Sequence, residues 1–406
     1  MDVVVTGIGL ISCLGSLTES WQQLQAWQSG IRLQQLFEDI PLYPLGLIGE
    51  IPAKLTDLTQ LAVSAALEDA RLTPPLPDCG VVIGSSRASQ VAWEQFAKQM
   101  YVGRECLYLE NWLETLPNQS AIATARQIGS TASVLAPMAA CATGIWAIAQ
   151  GVELIRQQKC DRVIAGAIEA PITPLTLAGF KQMGALATTG CYPFDKRREG
   201  LVLGEGGAVL VLESAKLALQ RNAKIYGKIL GFGLTCDATH LSAPAIDNLS
   251  ASLAIKQCLE RSNLTTSDID YIHAHGTSTQ LNDAREAALI EYLFPHGVAV
   301  SSTKGATGHT LGASGAIATA FSLMALKHQQ LPPCVGLREP EFKLNLVTSP
   351  RQAEIRRAMC LCFGFGGQNA VMVMEKEPTR TRRLAISEAG GALRYDDGLR
   401  NETHPI

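Results

Sequence analysis

Cys141 is the residue whose sequence surroundings best suit a nucleophile. It stands in Met138-Ala-Ala-Cys-Ala-Thr-Gly144, directly before a helical run over residues 145–157. This order predicts a sulfur at a helix amino terminus, where the helix dipole favours a thiolate. Backbone N–H groups of the first turn can receive an oxyanion, and small neighbours leave room for a substrate carbonyl. A buried cysteine is more often a small apolar residue, and we interpret the ten other cysteines in that way.

Two histidines lie in glycine-rich loops, each after an apolar strand and before a helix. His275 lies in Ala274-His-Gly-Thr-Ser-Thr279, and His309 lies in Lys304-Gly-Ala-Thr-Gly-His-Thr-Leu-Gly312. A lone histidine is more often structural than catalytic, and we keep that interpretation for His240, His296, His328 and His404. A thiol with two such loops predicts nucleophilic catalysis assisted by imidazole.

Two further motifs could support these three residues. Glu286 lies in Asp283-Ala-Arg-Glu286, on the first turn of a predicted helix, and could pair with Lys304. Spacing alone is equally compatible with a solvated helix start. The segment Cys362-Phe-Gly-Phe-Gly-Gly-Gln-Asn369 joins two apolar runs through a turn that can bring backbone N–H groups close to a ligand. An ordinary glycine-rich hairpin would have the same pattern.

The composition predicts a cytoplasmic protein with a large core. The chain has 406 residues, of which 47% are apolar and 17% charged, enough for two domains or one duplicated unit. A net charge of -3 gives no general attraction to nucleic acid or to an anionic membrane, so we expect neither as a partner. The eleven cysteines form no C-x-x-C pair and no zinc spacing, which is typical of a reducing compartment and predicts no metal site. The start MDVVVTGIGLIS resembles neither a secretory signal nor a transit peptide.

The predicted elements follow an α/β order that occurs twice. Strands are predicted at residues 3–8, 80–84, 162–168, 207–212, 227–234, 271–274, 298–302, 359–362 and 370–374, and helices near residues 18–27, 249–261 and 283–293. We therefore expect an amino-terminal half at residues 1–215, a carboxyl-terminal half at residues 223–375 and a flexible tail at residues 376–406.

Two stretches without Asp, Glu, Lys or Arg fall at corresponding places in the two halves. They cover residues 127–152 and 305–326 and are rich in Gly, Ala, Ser and Thr. Their length could suggest membrane spans, but this composition fits better with helices that pack on all sides inside a protein. If each half forms a sheet, these helices would be the central layer between the two sheets.

Together these motifs resemble the β-ketoacyl-[acyl-carrier-protein] synthases of fatty-acid synthesis, particularly the long-chain elongating type. The resemblance extends to about Glu375 and rests, in order, on VVVTGIGLIS, Ser29-Gly-Ile31, the segment around Cys141, Pro193-Phe-Asp-Lys196, Gly204-Glu-Gly206, AHGTST, KGATGHTLGASG and FGFGG. It implies the thiolase-like fold, which is a duplicated α/β fold in five layers (αβαβα), and usually a homodimer whose acyl tunnels lie beside the subunit interface.

The resemblance also implies a reaction. The Cys141 position takes the acyl group from the phosphopantetheine of acyl carrier protein. Malonyl-carrier then enters, and the histidines matching His275 and His309 stabilise the enolate oxygen as carbon dioxide leaves. The oxyanion of the condensation step would lie between the backbone N–H groups of Cys141 and Phe365. Because the carrier brings its own prosthetic group, no cofactor or metal is expected on this chain.

Supporting roles follow from the same resemblance. Lys304 and Glu286 match an ion pair that holds the His309 loop. The gate of the acyl pocket matches Phe363, Phe365 and Gly366. The family has a basic helix early in the chain, but here the corresponding residues 51–70 contain a single lysine. The candidates for docking the acidic carrier are therefore Lys196, Arg197 and Arg198, although a solvated charge run would look the same.

Some positions depart from the family's pattern and leave chain length and pathway open. Ala139, Leu201, His273 and Gln368 stand where a Thr, an aromatic residue, an Asn and a Thr or Ser are usual. A polyketide or specialised-lipid ketosynthase would keep the same cysteine and histidines. A thiolase fits less well, because that class uses a second cysteine as base where this chain has FGFGGQN. A non-catalytic chain-length-factor-like partner also fits less well, because such chains usually lose the nucleophile.

Overall fold

The structure is a computed structural model that describes residues 1–103 and 112–377. One compact unit comprises Met1–Lys376. Apart from residues 376 and 377, the predicted tail lies outside the described residues.

Strands and helices alternate along the chain. The strands are β1 (Val3–Ser12), β2 (Gly15–Ser16), β3 (Arg32–Gln34), β4 (Tyr43–Leu45), β5 (Gly80–Gly84), β6 (Val134–Leu135), β7 (Arg162–Glu169), β8 (Gly206–Ser214), β9 (Gly227–Cys236), β10 (Tyr271–His273), β11 (Ala299–Ser301), β12 (Gln330–Leu331), β13 (Asn345–Leu346), β14 (Arg351–Gln352), β15 (Arg357–Gly364) and β16 (Gln368–Glu375). The helices are α1 (Leu17–Gln25), α2 (Leu55–Ala70), α3 (Gln90–Gly103), α4 (Gln119–Ile128), α5 (Thr143–Arg156), α6 (Pro174–Gln182), α7 (Ala215–Gln220), α8 (Leu249–Arg261), α9 (Gln280–Leu293), α10 (Lys304–Thr307) and α11 (Ser314–His328), with short 3-10 turns at Trp112–Thr115, Thr266–Asp268 and Leu311–Ala313.

The main sheet consists of two similar groups of strands. Its order is β13-β11-β10-β15-β16-β9-β1-β8-β7-β5-β6, and β2 pairs with β1. A short antiparallel pairing of β1 with β9, from Val3 opposite Ile229 to Val5 opposite Gly227, joins the two groups. Each half therefore supplies its own set of strands, as expected from the repeated element order.

The apolar faces of these strands are covered in layers. Helices α5 and α11 share one core cluster with strands of both halves, and Ser314 through Leu326 of α11 are buried. Helices α2 and α4 cover the outer face of the amino-terminal strands, while α8 and α9 cover that of the carboxyl-terminal strands. This is the predicted five-layer order, and the buried parts of the central helices lack charge, which occurs only near their carboxyl-terminal ends at Glu153, Arg156 and Lys327.

The two uncharged stretches are only partly helical, which corrects the expectation that each is a helix. Helix α5 begins at Thr143 and α11 at Ser314. Before them, the first stretch contains the end of α4 and then a largely non-helical segment, and the second contains most of the short helix α10 and a 3-10 turn. The helix starts touch, since a β-carbon on Gly144 would lie 2.4 Å from the nitrogen of Ala316. Because only glycine permits this approach, the loops before α5 and α11 meet in one place. Within residues 1–103 and 112–377, no helix is both long enough and apolar enough to cross a membrane.

Candidate active site

Cys141 lies two residues before the first residue of α5, as the sequence predicts. Its side chain is buried, with 6% exposure, in an apolar cluster that also contains Phe180, Leu201 and Leu311. The preceding Ala140 has a φ of 47°, a left-handed conformation that is unfavourable for a non-glycine residue. This turn directs the chain into the helix, and the hydroxyl of Thr143 accepts a hydrogen bond from the backbone N–H of Ala139 at 2.8 Å.

The two histidines reach the sulfur from neighbouring strands of the carboxyl-terminal half. His275 follows β10, and His309 follows α10, which comes directly after β11; β10 and β11 are parallel neighbours. The reactive atoms of Cys141, His275 and His309 all lie within 4.8 Å of one another. The imidazole rings meet edge to face, with centroids 5.3 Å apart. Three distant segments of the chain thus meet around one sulfur.

Each imidazole is held through its Nδ1 atom. Nδ1 of His309 lies 2.8 Å from the hydroxyl oxygen of Ser314 at the start of α11. Nδ1 of His275 lies 3.6 Å from Sγ of Cys362 on β15. Both rings therefore have Nε2 left for a substrate or for the Cys141 thiol.

Burial sets the protonation of the three groups. Burial raises the pKa of the Cys141 thiol to about 11, although the charges of Lys304 and Arg87 act to lower it. Our expectation of a resting thiolate is therefore wrong, because the loss of water outweighs the favourable position at the helix start. Burial, and next the charge of Lys304, holds the pKa of His275 and of His309 well below the usual value. The site thus rests as a thiol beside two neutral imidazoles.

Lys304 and Glu286 support His275, and this corrects the ion pair that we expected at the His309 loop. Both carboxylate oxygens of Glu286 accept backbone N–H groups, from His275 at 2.6 Å and from Gly276 at 2.7 Å. Nζ of Lys304 donates to the backbone carbonyl of His275. Among the ion pairs of the described residues, none joins these two side chains. Each instead binds backbone groups of His275 or Gly276. Glu286 also lies on the second turn of its helix, since α9 begins at Gln280.

The turn after β15 approaches Cys141 closely. A β-carbon on Gly364 would lie 3.1 Å from the backbone nitrogen of Cys141. The nearby backbone N–H of Phe365 acts to lower the pKa of the Cys141 thiol, against the larger effect of burial. The backbone of Cys141 and that of Gly364, which precedes Phe365, are therefore close neighbours, as the predicted oxyanion site requires. The ring of Phe363 lies edge to face against His275, with centroids 5.9 Å apart.

A cavity of about 310 Å³ opens onto the reactive atoms. Its lining includes Cys141, both histidines, Leu201, Phe363 and Phe365. Gly366, the third predicted gate residue, is not in the lining. Its N–H donates to the carbonyl of Leu241 at 2.7 Å. Of the unusual positions, Leu201 faces the substrate space, whereas His273 is buried outside it with Nε2 3.1 Å from the Thr303 hydroxyl.

The predicted carrier-docking residues differ in what they can reach. Arg198 is 2% exposed and pairs with Glu341. Its assignment to docking is therefore wrong, because the buried guanidinium is paired within the fold and cannot reach a carrier. Arg197 pairs with the buried Asp195 at 3.0 Å and lies over a tyrosine ring. The side chain of Lys196 is 61% exposed, and its nearest acidic partner is 3.9 Å away. Lys196 and Arg197 therefore both remain exposed, the Arg197 side chain to 42%, and Lys196 has the weaker ion pair of the two.

Sequence reasoning missed three residues that organise the site. Ser314 was inside the quoted motif around His309, but only the fold shows its contact with the ring. Cys362 carried no spacing signal toward His275, since 87 residues separate them. Glu169, at the end of β7, accepts hydrogen bonds from Ser85, Ser86, Arg87 and Gly312, and so ties the His309 region to the amino-terminal half.

Comparison with protein families agrees with this geometry. The model of the beta-ketoacyl synthase N-terminal domain matches residues 53–218, and that of the C-terminal domain matches residues 226–338. The chain belongs to the β-ketoacyl synthase family. The 3-oxoacyl-[acyl-carrier-protein] synthase 2 of Staphylococcus aureus (strain COL) is 32% identical, over 92% of this chain and 98% of its own length.

Solved structures of β-ketoacyl synthases share the fold. A type II polyketide synthase acyl-carrier protein in complex with its ketosynthase bound to the hexaketide gives a TM-score of 0.88 at 27% identity, covering 93% of this chain and 99% of the other. The ishigamide ketosynthase/chain length factor gives 0.86 at 28% identity, covering 93% and 99%. The thiolase-like fold expected from the motifs is confirmed.

Proposed function

We propose that this β-ketoacyl synthase catalyses the decarboxylative Claisen condensation of an acyl group with malonyl-acyl-carrier protein, giving 3-oxoacyl-carrier protein in fatty-acid chain elongation. One observation carries the proposal: a buried thiol and two neutral imidazoles lie within 4.8 Å of one another and face one cavity. No other group is needed on this chain, because the carrier's phosphopantetheine holds both substrates.

In the first half-reaction the Cys141 sulfur attacks the thioester of the acyl-carrier. Its pKa of about 11 means that the thiol must lose its proton as the attack occurs, and a neutral imidazole can accept it. The proton then passes to the departing carrier thiolate, so that the products are acyl-Cys141 and free carrier. The backbone N–H groups of Cys141 and Phe365 stabilise the tetrahedral oxyanion.

In the second half-reaction malonyl-carrier enters the same cavity. Its carboxylate leaves as carbon dioxide, and negative charge develops on the thioester oxygen of the enolate. A neutral imidazole can donate an N–H to that oxygen. The enolate carbon attacks acyl-Cys141 and the carbon–sulfur bond breaks. The released cysteine thiolate takes its proton from solvent, which is the one proton that the condensation consumes. Phe363 and Phe365 are positioned to gate the cavity during this exchange of substrates.

An acyl carrier protein is the partner that this reaction requires, and Lys196 and Arg197 are the exposed candidates to bind it. The second partner is another copy of this chain. Edge strand β6 exposes Val134 and Leu135, and Met138, just before the nucleophile, is 71% exposed. Apolar side chains on an unpaired strand edge are typical of a surface that pairs with another subunit. We also propose a cytoplasmic location, where the ten described cysteines would stay free thiols as they are in the structure.

The second candidate is a polyketide or specialised-lipid ketosynthase. The two similar solved structures named above favour it as much as the S. aureus relative favours fatty-acid elongation. A non-catalytic chain-length-factor-like role is less well supported, because nucleophile and both imidazoles are present and assembled.

The test is to incubate the protein with malonyl-carrier and acyl-carriers of graded length while following carbon dioxide release and product mass, with Cys141→Ala as control. Saturated acyl groups extended by two carbons would support fatty-acid elongation. Extension of 3-oxoacyl groups alone would favour a polyketide synthase. Absence of any condensation with every carrier would contradict both.

A further inference from the structure

A second buried cysteine touches both members of the Cys141–His275 pair. Sγ of Cys362 lies 2.9 Å from the backbone carbonyl oxygen of Cys141 and 3.6 Å from Nδ1 of His275. Cys362 is 1% exposed and is not among the residues that line the cavity. It therefore cannot touch a substrate, and any effect on the reaction must act through its two neighbours.

The chemistry of these neighbours determines the direction of each hydrogen bond. A carbonyl oxygen can only accept, so at 2.9 Å the single proton of the Cys362 thiol is donated to Cys141. If that proton pointed at His275 instead, sulfur and carbonyl lone pairs would face each other at the shorter distance. The sulfur consequently offers only lone pairs to Nδ1, and Nδ1 must carry the proton of the neutral ring.

We infer that Cys362 is a positioning residue that holds His275 as the Nδ1–H tautomer, so that His275 presents an unprotonated Nε2 and serves as the base for acyl transfer to Cys141. This inference rests on the proposed function. In the step itself, the proton of the Cys141 thiol moves to Nε2 of His275 while sulfur attacks the acyl carbon. The same proton then moves to the leaving carrier thiolate, and the ring returns to its starting form.

The two histidines are thereby assigned different tasks. The partner of His309 is the hydroxyl of Ser314, which can donate or accept and so leaves either tautomer open. His309 can therefore hold its proton on Nε2 and donate it to the enolate oxygen. The backbone contacts of Glu286 and Lys304 fix where His275 stands, but they do not touch its ring nitrogens. Among the described contacts, Cys362 is the one that distinguishes the two nitrogens of His275.

Cys362→Ala removes the contact, and Cys362→Ser keeps a hydroxyl that can make both hydrogen bonds. The matched control is Cys360→Ala, which deletes another buried thiol of the same strand that faces Ser322 of α11 at 3.1 Å. We expect Cys362→Ala to slow acylation of Cys141 about tenfold, part of the roughly 10² to 10⁴ that a positioned base contributes. Carbon dioxide release from malonyl-carrier should stay within about twofold, and Cys362→Ser should recover most of the acylation rate.

The tautomer can be read directly from ¹⁵N shifts of selectively labelled histidine, with His275→Gln to assign the signals. The inference predicts Nδ1–H in the wild type and in Cys360→Ala, and a mixed or Nε2–H form in Cys362→Ala. An Nε2–H ring in the wild type, or acylation by Cys362→Ala as fast as by Cys360→Ala, would overturn it. The spectrum needs no turnover, so a wild type that shows Nδ1–H but accepts no acyl group would refute the proposed function and leave the tautomer assignment intact.

Discussion

The carboxylate of Glu286 lies 2.6 Å from the backbone nitrogen of His275, so a buried negative charge holds the backbone on which the proposed base stands. Burial raises the pKa of Glu286 to about 7, despite the hydrogen bonds from Gly276 and His275 that lower it. A glutamate in the unfolded chain titrates near 4.5. Between these two values the unfolded state loses its proton first as the pH rises.

A pH-dependent stability follows for Glu286→Gln. Because the native state binds more protons than the unfolded state between about pH 4.5 and 7, ionisation of Glu286 lowers the free energy of unfolding as the pH rises through this interval. We expect the wild type to lose stability relative to Glu286→Gln over this range. Urea unfolding of both proteins at several pH values measures the difference, and parallel curves would show that Glu286 titrates normally.

The thiol of free Cys141 should react slowly at neutral pH. With its pKa raised to about 11, the thiolate fraction increases tenfold for each pH unit over the range accessible to experiment. Alkylation of Cys141 by iodoacetamide, followed by mass spectrometry of its peptide, should therefore accelerate about tenfold per unit between about pH 7 and 9. A rate that levels off near neutrality would instead show a resting thiolate stabilised by the helix start.

His309→Ala should lower decarboxylation more than acylation. The reason is that His309 is assigned to the enolate oxygen, whereas the thiol proton goes to His275. Removing one preorganised donor typically costs about 10² to 10³ in rate. Carbon dioxide release and acyl-Cys141 formation can be measured separately in this variant. Equal losses in both steps would contradict the division of tasks between the two rings.

Lys196 and Arg198 should respond differently to substitution. Lys196→Glu should weaken binding of the acidic carrier several-fold, while reaction with short pantetheine thioesters stays unchanged because they bypass the docking surface. Arg198→Ala should lower the free energy of unfolding by about 1 to 2 kcal/mol, since it leaves the backbone carbonyls of Asp195 and Gln280 without their donor. Carrier affinity and thermal unfolding of both variants test this pair. A carrier-specific defect in a stably folded Arg198→Ala protein would restore Arg198 as a docking residue.

Much of the site could be predicted because its residues lie in local motifs. Cys141 before α5, and His275 and His309 after parallel strands, follow from strand–loop–helix patterns that a sequence displays directly. The partners of the supporting side chains could not be predicted. Whether Lys304 meets Glu286 or the carbonyl of His275 depends on packing distances of a few ångströms.

Burial was the main source of error. The helix start before Thr143 suggested a thiolate, but the apolar cluster around Cys141 removes the water that would stabilise the charge. The same limit applied to Arg198, which reads as a surface charge in Lys196-Arg-Arg198 and is buried in the fold. The uncharged composition of residues 127–152 also suggested helix throughout, although Gly129 ends α4 and Pro137 lies in a non-helical segment.

The most direct test is a two-step experiment on Cys141. The protein is first incubated with an acyl-carrier and its mass is determined, and malonyl-carrier is then added in a single turnover. We expect one acyl group on Cys141 that disappears on the second addition, together with one carbon dioxide and one 3-oxoacyl-carrier per acyl group. An acyl group bound elsewhere, or a Cys141 adduct that persists after malonyl-carrier is added, would contradict the proposed reaction.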